Sequence, residues 1–294
     1  MSAQTSPALA SAKPTVSARP ARRRRGGEQP RWLWVWLGIV YLYIFVPIIV
    51  VVVYSFNSRS SVAVFGQPSL RWYSTLFHDT SIRSSLYFSI EIAAIVTVLS
   101  TVIGVGAALG LDRGSPLLAR PTEAMVLLRI MSPEITGAIA FLLLFTEIGL
   151  PLGGLTMTVA HVCFCVVYVT VIVRSRLRTL DPAVEEAAED LGATHLASLR
   201  LVVLPQLRPA ILASAVLVFL LSFDDFATSY FTIGAGTQPL PVRIYSMIRF
   251  GVSPEINALG TLITLVTVVV GAAATFGYAR VQSRQRQALK DRLG

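Results

Sequence analysis

The sequence predicts an all-α membrane protein with six transmembrane helices, and three observations carry that prediction. Of 294 residues, 54% are hydrophobic and only 14% are charged, whereas a soluble domain carries about 25% charged residues. Apolar runs over 32–56, 84–111, 122–147, 152–174, 209–233 and 256–280 each reach the roughly 20 residues that cross a bilayer. The basic residues then fall on one side of those runs. With both termini inside, residues 1–31 hold seven, 112–121 two, 174–208 five and the tail from Arg280 five, against Arg59, Arg71, Arg83, Arg243 and Arg249 outside. Arg129 alone lies within a span. An inside excess of this size orients the chain, and it reads the net charge of +9 as a membrane signal, not as a nucleic-acid surface.

Residues 1–31 are rich in Ala, Ser and Pro and end in Arg22 to Arg25. They cannot bury a core and are expected to be a disordered, basic cytoplasmic segment. The run from Trp32 to Phe56 exceeds a signal-peptide core and lacks a small-residue cleavage site, so it reads as an uncleaved first span. Trp32, Trp34 and Trp36 sit where an interfacial aromatic belt belongs. The link from Asn57 to Arg83 carries Arg71, Trp72, Tyr73, Leu76 and Phe77, an amphipathic interfacial pattern. Gly104, Gly106, Ala107 and Ala108 in span two permit close helix approach. In span three, Arg129 lies near enough to the inner end to snorkel there. His161 and Cys165 share one face of span four, but two such groups fall short of a metal's three or four ligands. Residues 32–280 thus form one membrane domain, and 281–294 a cytoplasmic tail.

One polar island interrupts this chain, the inside loop 175–208. Asp181 is a good helix cap and Pro182 suits the first helical position, which needs no backbone N–H. Val184, Ala187, Ala188 and Leu191 recur at helical spacing. Gly192 is a stop, because glycine accepts a left-handed conformation, and Thr194 can cap a second helix running into Leu204-Pro205. Glu186-Ala187-Ala188, three residues, Gly192, nine residues, Val202, one residue, Leu204-Pro205 resembles the EAA motif of ABC importer permeases, with Val202 in place of Ile.

Pro47 to Asn57, Arg71 to Tyr73, Pro133 to Gly137, Ser222 to Phe226 and Arg249 to Leu259 are similar to the polyamine (spermidine/putrescine) branch of that family. The resemblance covers roughly Val46 to Arg280. It implies a type I ABC importer permease fold in the bacterial inner membrane. It implies four kinds of partner: ABC ATPase subunits, a second homologous permease, an extracytoplasmic polyamine-binding protein and the lipid bilayer. It also implies that Glu185, Glu186, Ala187, Ala188 and Asp190 couple to the ATPase, together with Gly192, Ala193, Leu204 and Pro205. Val167 departs from the family's frequent proline in span four, which puts a kink there in doubt.

Carboxylates at membrane depth are costly and mark function by default. Glu91 lies about 12 Å into span two from outside, Glu134 about 18 Å into span three from inside, and Asp224 and Asp225 about 23 Å into span five from inside. Together they suit a path for an amine cation, or else serve as protonated packing groups. Neighbours on a helix diverge by about 100°, so one of Asp224 and Asp225 faces the path while the other bonds a neighbouring helix.

The only lysines are Lys13 and Lys290, and neither lies in a phosphate-cradling G-x-x-x-x-G-K-[ST] loop. The chain is therefore expected to need no cofactor of its own and to be no enzyme, with Mg-ATP bound by another subunit. No Ser/His/Asp or acid-pair catalytic arrangement is apparent, since the only other histidines, His78 and His195, sit in separate polar segments. The alternatives are an ABC permease for another small organic cation or a metal ion, a proton-coupled secondary transporter with the carboxylates as relays, and a non-transporting scaffold.

Overall fold

A computed structural model describes residues 31–60, 64–114, 116–236, 238–251 and 253–293. The expected disordered segment 1–31 lies outside the described residues but for its last. The described elements are helical apart from one isolated antiparallel bridge, Asn57 to Pro68. The chain divides into two units, residues 1–47 and 48–294, and helix α1 (Arg31–Ser55) runs through the boundary. In the first unit, Tyr41 and Phe45 stack one helical turn apart, with ring centroids 5.9 Å apart.

In the second unit, buried Asn57 organises the loop after α1. Its Oδ1 accepts from the Arg59 and Gly66 amides at 3.2 and 2.8 Å, and its Nδ2 donates to the Val64 carbonyl at 3.0 Å. The short helix α2 (Arg71–His78) is amphipathic: Trp72 and Leu76 are buried while Arg71 and Phe77 are exposed. The Trp72 indole donates to the Asn57 carbonyl at 2.6 Å. Asp79 caps α3 (Thr80–Arg113) by accepting from the Ser81 and Ile82 amides at 2.7 and 3.1 Å.

At 34 residues, α3 is about 51 Å long, more than the bilayer's hydrocarbon core. It packs along α6 (Gly154–Leu177), an unbroken helix in which Val167 is buried. The backbones approach at Gly104, where a Cβ would fall 2.5 Å from the Val169 Cβ. Ala108 is fully buried, but Gly106 has nothing within 4 Å of a Cβ, so of these small residues Gly104 and Ala108 make the interface. Helix association in lipid rests on such packing, since lipid is as apolar as the side chains.

Span three is not one rod. Helices α4 (Pro116–Met131) and α5 (Glu134–Glu147) meet at 111°. Pro133 has no N–H to give and pushes Ser132 out of helical geometry. At 16 and 14 residues, the halves reach about 24 and 21 Å, each short of a roughly 30 Å crossing. The bend also alters the expectation for Arg129. Its guanidinium does not run to the end of the span; it lies 5.7 Å over the Phe164 ring of α6 and against Gly137, because α5 folds back beside it.

The loop after α6 forms α7 (Pro182–Asp190), capped by Asp181 onto the Ala183 amide at 3.0 Å, and α8 (His195–Ser198), capped by Thr194 onto the Ala197 amide at 3.3 Å. The second loop helix and span five, expected as separate, are continuous. A widened turn over Leu199–Val203 joins α8 to α9 (Leu204–Asp224), the Leu204 amide reaching the Leu199 carbonyl five residues back. Pro205 cannot donate to the carbonyl four residues before it, and the wider turn accommodates its ring.

Span five in turn ends early. Asp225 is extended, and a short α10 (Ala227–Thr232) follows in place of a rod to residue 233. Helices α11 (Leu240–Phe250) and α12 (Pro254–Leu293) complete the chain, and α12 continues without interruption through 281–293. Five described helices are long and apolar enough to cross a bilayer, or six if the bent α4–α5 pair is counted as one broken span. The main core forms where α3, α6 and α9 meet, around Val96, Met157, Cys165, Val169, Leu207 and Val218. At the loop-side end, Arg174 pairs with Glu123 of α4 at 2.9 Å.

Candidate functional site

Two places gather the residues singled out above, an acidic cleft at the break in span five and the loop built on α7 and α8. At the break, Asp225 is 5% exposed and its charge is fully engaged. Its Oδ2 accepts from the Ser229 amide at 2.8 Å and lies 3.0 Å from Nε2 of His161; its Oδ1 accepts from the Thr228 amide at 3.4 Å. The carboxylate thus caps the first turn of α10, where unpaired amides favour an anion. A residue bonded in this way leaves the α9 helix path, which is why the span breaks here.

His161, fully buried on α6, also meets Ser222 Oγ at Nδ1 (2.9 Å) and Ser229 Oγ at Nε2 (3.2 Å). A Ser222–His161–Asp225 row therefore does form, a contact that the sequence reading of the histidines did not bring out. A nucleophilic serine must be reachable by substrate, yet Ser222 is 4% exposed and lies between packed helices. The row is a buried brace between α6 and the break. Periodicity along span four linked His161 only to Cys165; a hydrogen-bonding ring and a carboxylate at similar depth were the available signal for Asp225.

Asp224, one residue earlier, remains on α9 and is exposed. With Glu134, Asp225, Leu220, Leu221, Phe223 and Thr267 it lines a cleft of ≈ 330 Å³. Glu134 is the first residue of α5, so the Pro133 break and the Asp225 break meet at this cleft. Glu91 is exposed on α3 and is not among the residues lining the cleft. A cavity of ≈ 380 Å³ between α4 and α6 has one lining carboxylate, Glu123, which Arg174 already neutralises. The span-five cleft, with three lining carboxylates, offers an acidic surface suited to a cation. Phe226, Tyr230 and Tyr245 pack together beside it, with ring centroids 4.8 to 5.7 Å apart.

In the loop, Glu186, Ala187 and Asp190 are exposed and Ala188 is half-buried. Gly192 has φ +92°, with nothing within 4 Å of an added Cβ. The Ala193 amide closes the turn onto the Ala188 carbonyl at 3.0 Å. Leu191 is 90% exposed, Leu196 71% and Leu201 73%, so the outer face of this polar loop carries bare leucines. Leu204 and Pro205 are half-buried in the first turn of α9. Glu185 differs from its neighbours: it is paired with Arg113 of α3 at 2.8 Å.

The sequence profile of the family described as "Binding-protein-dependent transport system inner membrane component" matches residues 29–287. The chain belongs to that family. Its similar relatives include the putrescine transport system permease protein PotI of Escherichia coli (strain K12), 39% identical over 238 residues, 79% of this chain and 85% of that protein. The spermidine/putrescine transport system permease protein PotC of the same strain is 37% identical over 224 residues, 75% of this chain and 83% of that protein.

Among solved structures, a bacterial ABC transporter involved in import of the acidic polysaccharide alginate superposes with TM-score 0.64 at 19% identity, covering 84% of this chain and 95% of that one. An amino acid ABC transporter gives TM-score 0.57 at 16% identity, covering 71% and 98%. The expected type I ABC importer permease fold is therefore the observed one. An inner-membrane transport component moves its cargo without covalent chemistry, in keeping with the reading that the chain is not an enzyme.

Proposed function

We propose that this chain is one membrane-spanning subunit of an ATP-driven bacterial importer of polyamines such as putrescine and spermidine. The acidic cleft at the meeting of two helix breaks carries the reading. Asp224 and Glu134 face it without an ion pair among the described residues, and a carboxylate can replace part of the hydration an ammonium loses at membrane depth. The relatives named for putrescine and spermidine transport support the same cargo class. Asp224 serves as the carboxylate facing the path, and Asp225 as the structural one. Glu91 contributes nearer the outer end of α3.

In this reading both termini and the α7–α8 loop lie in the cytoplasm, as the arrangement of basic residues favours. The ATPase subunits bind Mg-ATP and dock on the exposed face of the loop. A second, homologous permease supplies the other half of the pathway, and an extracytoplasmic binding protein delivers cargo. A solved alginate transporter of the same fold is in complex with a periplasmic protein, which supports the last partner.

Gly192→Asp tests the coupling assignment. A side chain in the left-handed region costs on the order of 1 kcal/mol; the site is open, so the fold is expected to survive while a carboxylate projects from the docking face. The variant should insert normally, co-purify with less ATPase and lose cargo-stimulated ATP hydrolysis. Normal values for both in a correctly inserted variant contradict the assignment.

A further inference from the structure

We infer that Arg113, at the end of α3, is the positioning residue through which the α7–α8 loop moves the membrane-spanning helices, with His195 as its second anchor. The inference rests on the coupling role proposed above and adds the mechanical link which that role leaves unassigned.

Helix α7 has no buried residue, so apolar burial does not fix its position against the membrane helices. A cavity of ≈ 180 Å³ lies under it, walled by Leu177, Leu180, Val184, Val202 and Val203 among others. Polar contacts cross that gap. The Arg113 guanidinium donates from one Nη to Glu185 Oε2 at 2.8 Å and from the other to His195 Nε2 at 3.1 Å. His195 Nδ1 lies 2.9 Å from Glu189 Oε1.

The direction of each bond follows from chemistry. A guanidinium only donates, so Nε2 must accept, the imidazole proton sits on Nδ1, and that proton is given to Glu189. Glu185 and Glu189 lie one turn apart on α7, and His195 opens α8. One guanidinium thus fastens both sides of the Gly192 turn to α3. The three acidic and imidazole groups stand close enough to hold a metal ion, but Arg113 already supplies the positive charge between two of them.

The far end of the link suits transmission. Helix α3 packs along both α6 and α9, which carry His161 and Asp224. The pair is half-buried, each side chain 24% exposed, and it ties two elements together at the protein's edge, outside the main core, so its loss is expected to tell on coupling more than on folding.

The test uses the full complex, reconstituted with its binding protein, with putrescine and spermidine as probes. Arg113→Glu and Glu185→Arg are made singly and together. Arg113→Glu is expected to assemble and hydrolyse ATP, and both single variants to lose about fivefold or more of cargo stimulation and of cargo moved per ATP, within the usual range of coupling between sites. The double variant restores the pair with the charges exchanged and should recover both quantities. Should Arg113→Glu fail to assemble, Arg113→Gln removes the charge without reversing it and should show the same uncoupling. Unchanged coupling in an assembled Arg113 variant, or a double variant as defective as the worse single one, overturns the link. A wild-type complex whose ATP hydrolysis ignores cargo instead overturns the coupling reading itself.

Discussion

Asp225→Ala is expected to be the most damaging single substitution in the membrane domain. It leaves His161 buried without its acceptor and strips the Thr228 and Ser229 amides of the carboxylate that caps them. Breaking a buried pair by removing one member costs about 3–5 kcal/mol, a large share of the 5–15 kcal/mol that holds a typical domain together. His161→Ala should be comparably harmful, because it leaves the Asp225 charge buried and short of one partner. The double variant should lose less than the sum of the two, as residues in contact do. Asp225→Asn keeps one acceptor oxygen for Ser229 and should lose less than Asp225→Ala. Thermal unfolding of the purified protein in detergent measures all four. Single variants as stable as the parent would remove the brace from the account.

Asp224→Asn is expected to do the opposite, keeping the fold and losing transport. The residue is exposed at the cleft and its carboxylate has no described ion-pair partner, so its charge is available to cargo. A close charge pair at an effective dielectric near 20 contributes about 4 kcal/mol before desolvation. Retaining a quarter of that, about 1 kcal/mol, is already some fivefold in rate. Asp224→Asn should therefore assemble with its partners but import polyamine at least several-fold more slowly, and adding Glu134→Gln should deepen the loss. Full uptake by the double variant, in an assembled complex, rules out a required cation-binding role for these carboxylates.

The contrast between two adjacent aspartates shows where sequence reasoning reached and where it stopped. That the two would diverge follows from helical geometry alone, although both reach the same cleft, Asp225 with its carboxylate held by His161. Which one is buried depends on His161, 64 positions away, and periodicity within one helix cannot register a partner on another. The six apolar runs were legible because bilayer thickness sets a minimum length. Counting apolar residues, however, is blind to direction, so it passed straight through the Pro133 bend and the Asp225 break. The same count placed the start of span five at 209, although α9 begins at Leu204. Pro205 sits in the first turn of α9, where a missing N–H is tolerated, and the widened turn before it keeps the rod continuous. The loop between α7 and α8 was readable from caps, spacing and motif. Its tie to Arg113 was not, because the partner lies 72 residues earlier, at the end of a span that reads only as a charge excess.

The most direct test of the central claim is uptake by sealed proteoliposomes containing this chain with its ATPase, second permease and binding protein. Energy is supplied only as Mg-ATP on the loop side, with a protonophore present to abolish any proton gradient. Labelled putrescine or spermidine is predicted to accumulate with ATP and not with a non-hydrolysable analogue. Accumulation that ignores ATP and appears only when a proton gradient is imposed without protonophore would contradict the account and favour a proton-coupled carrier.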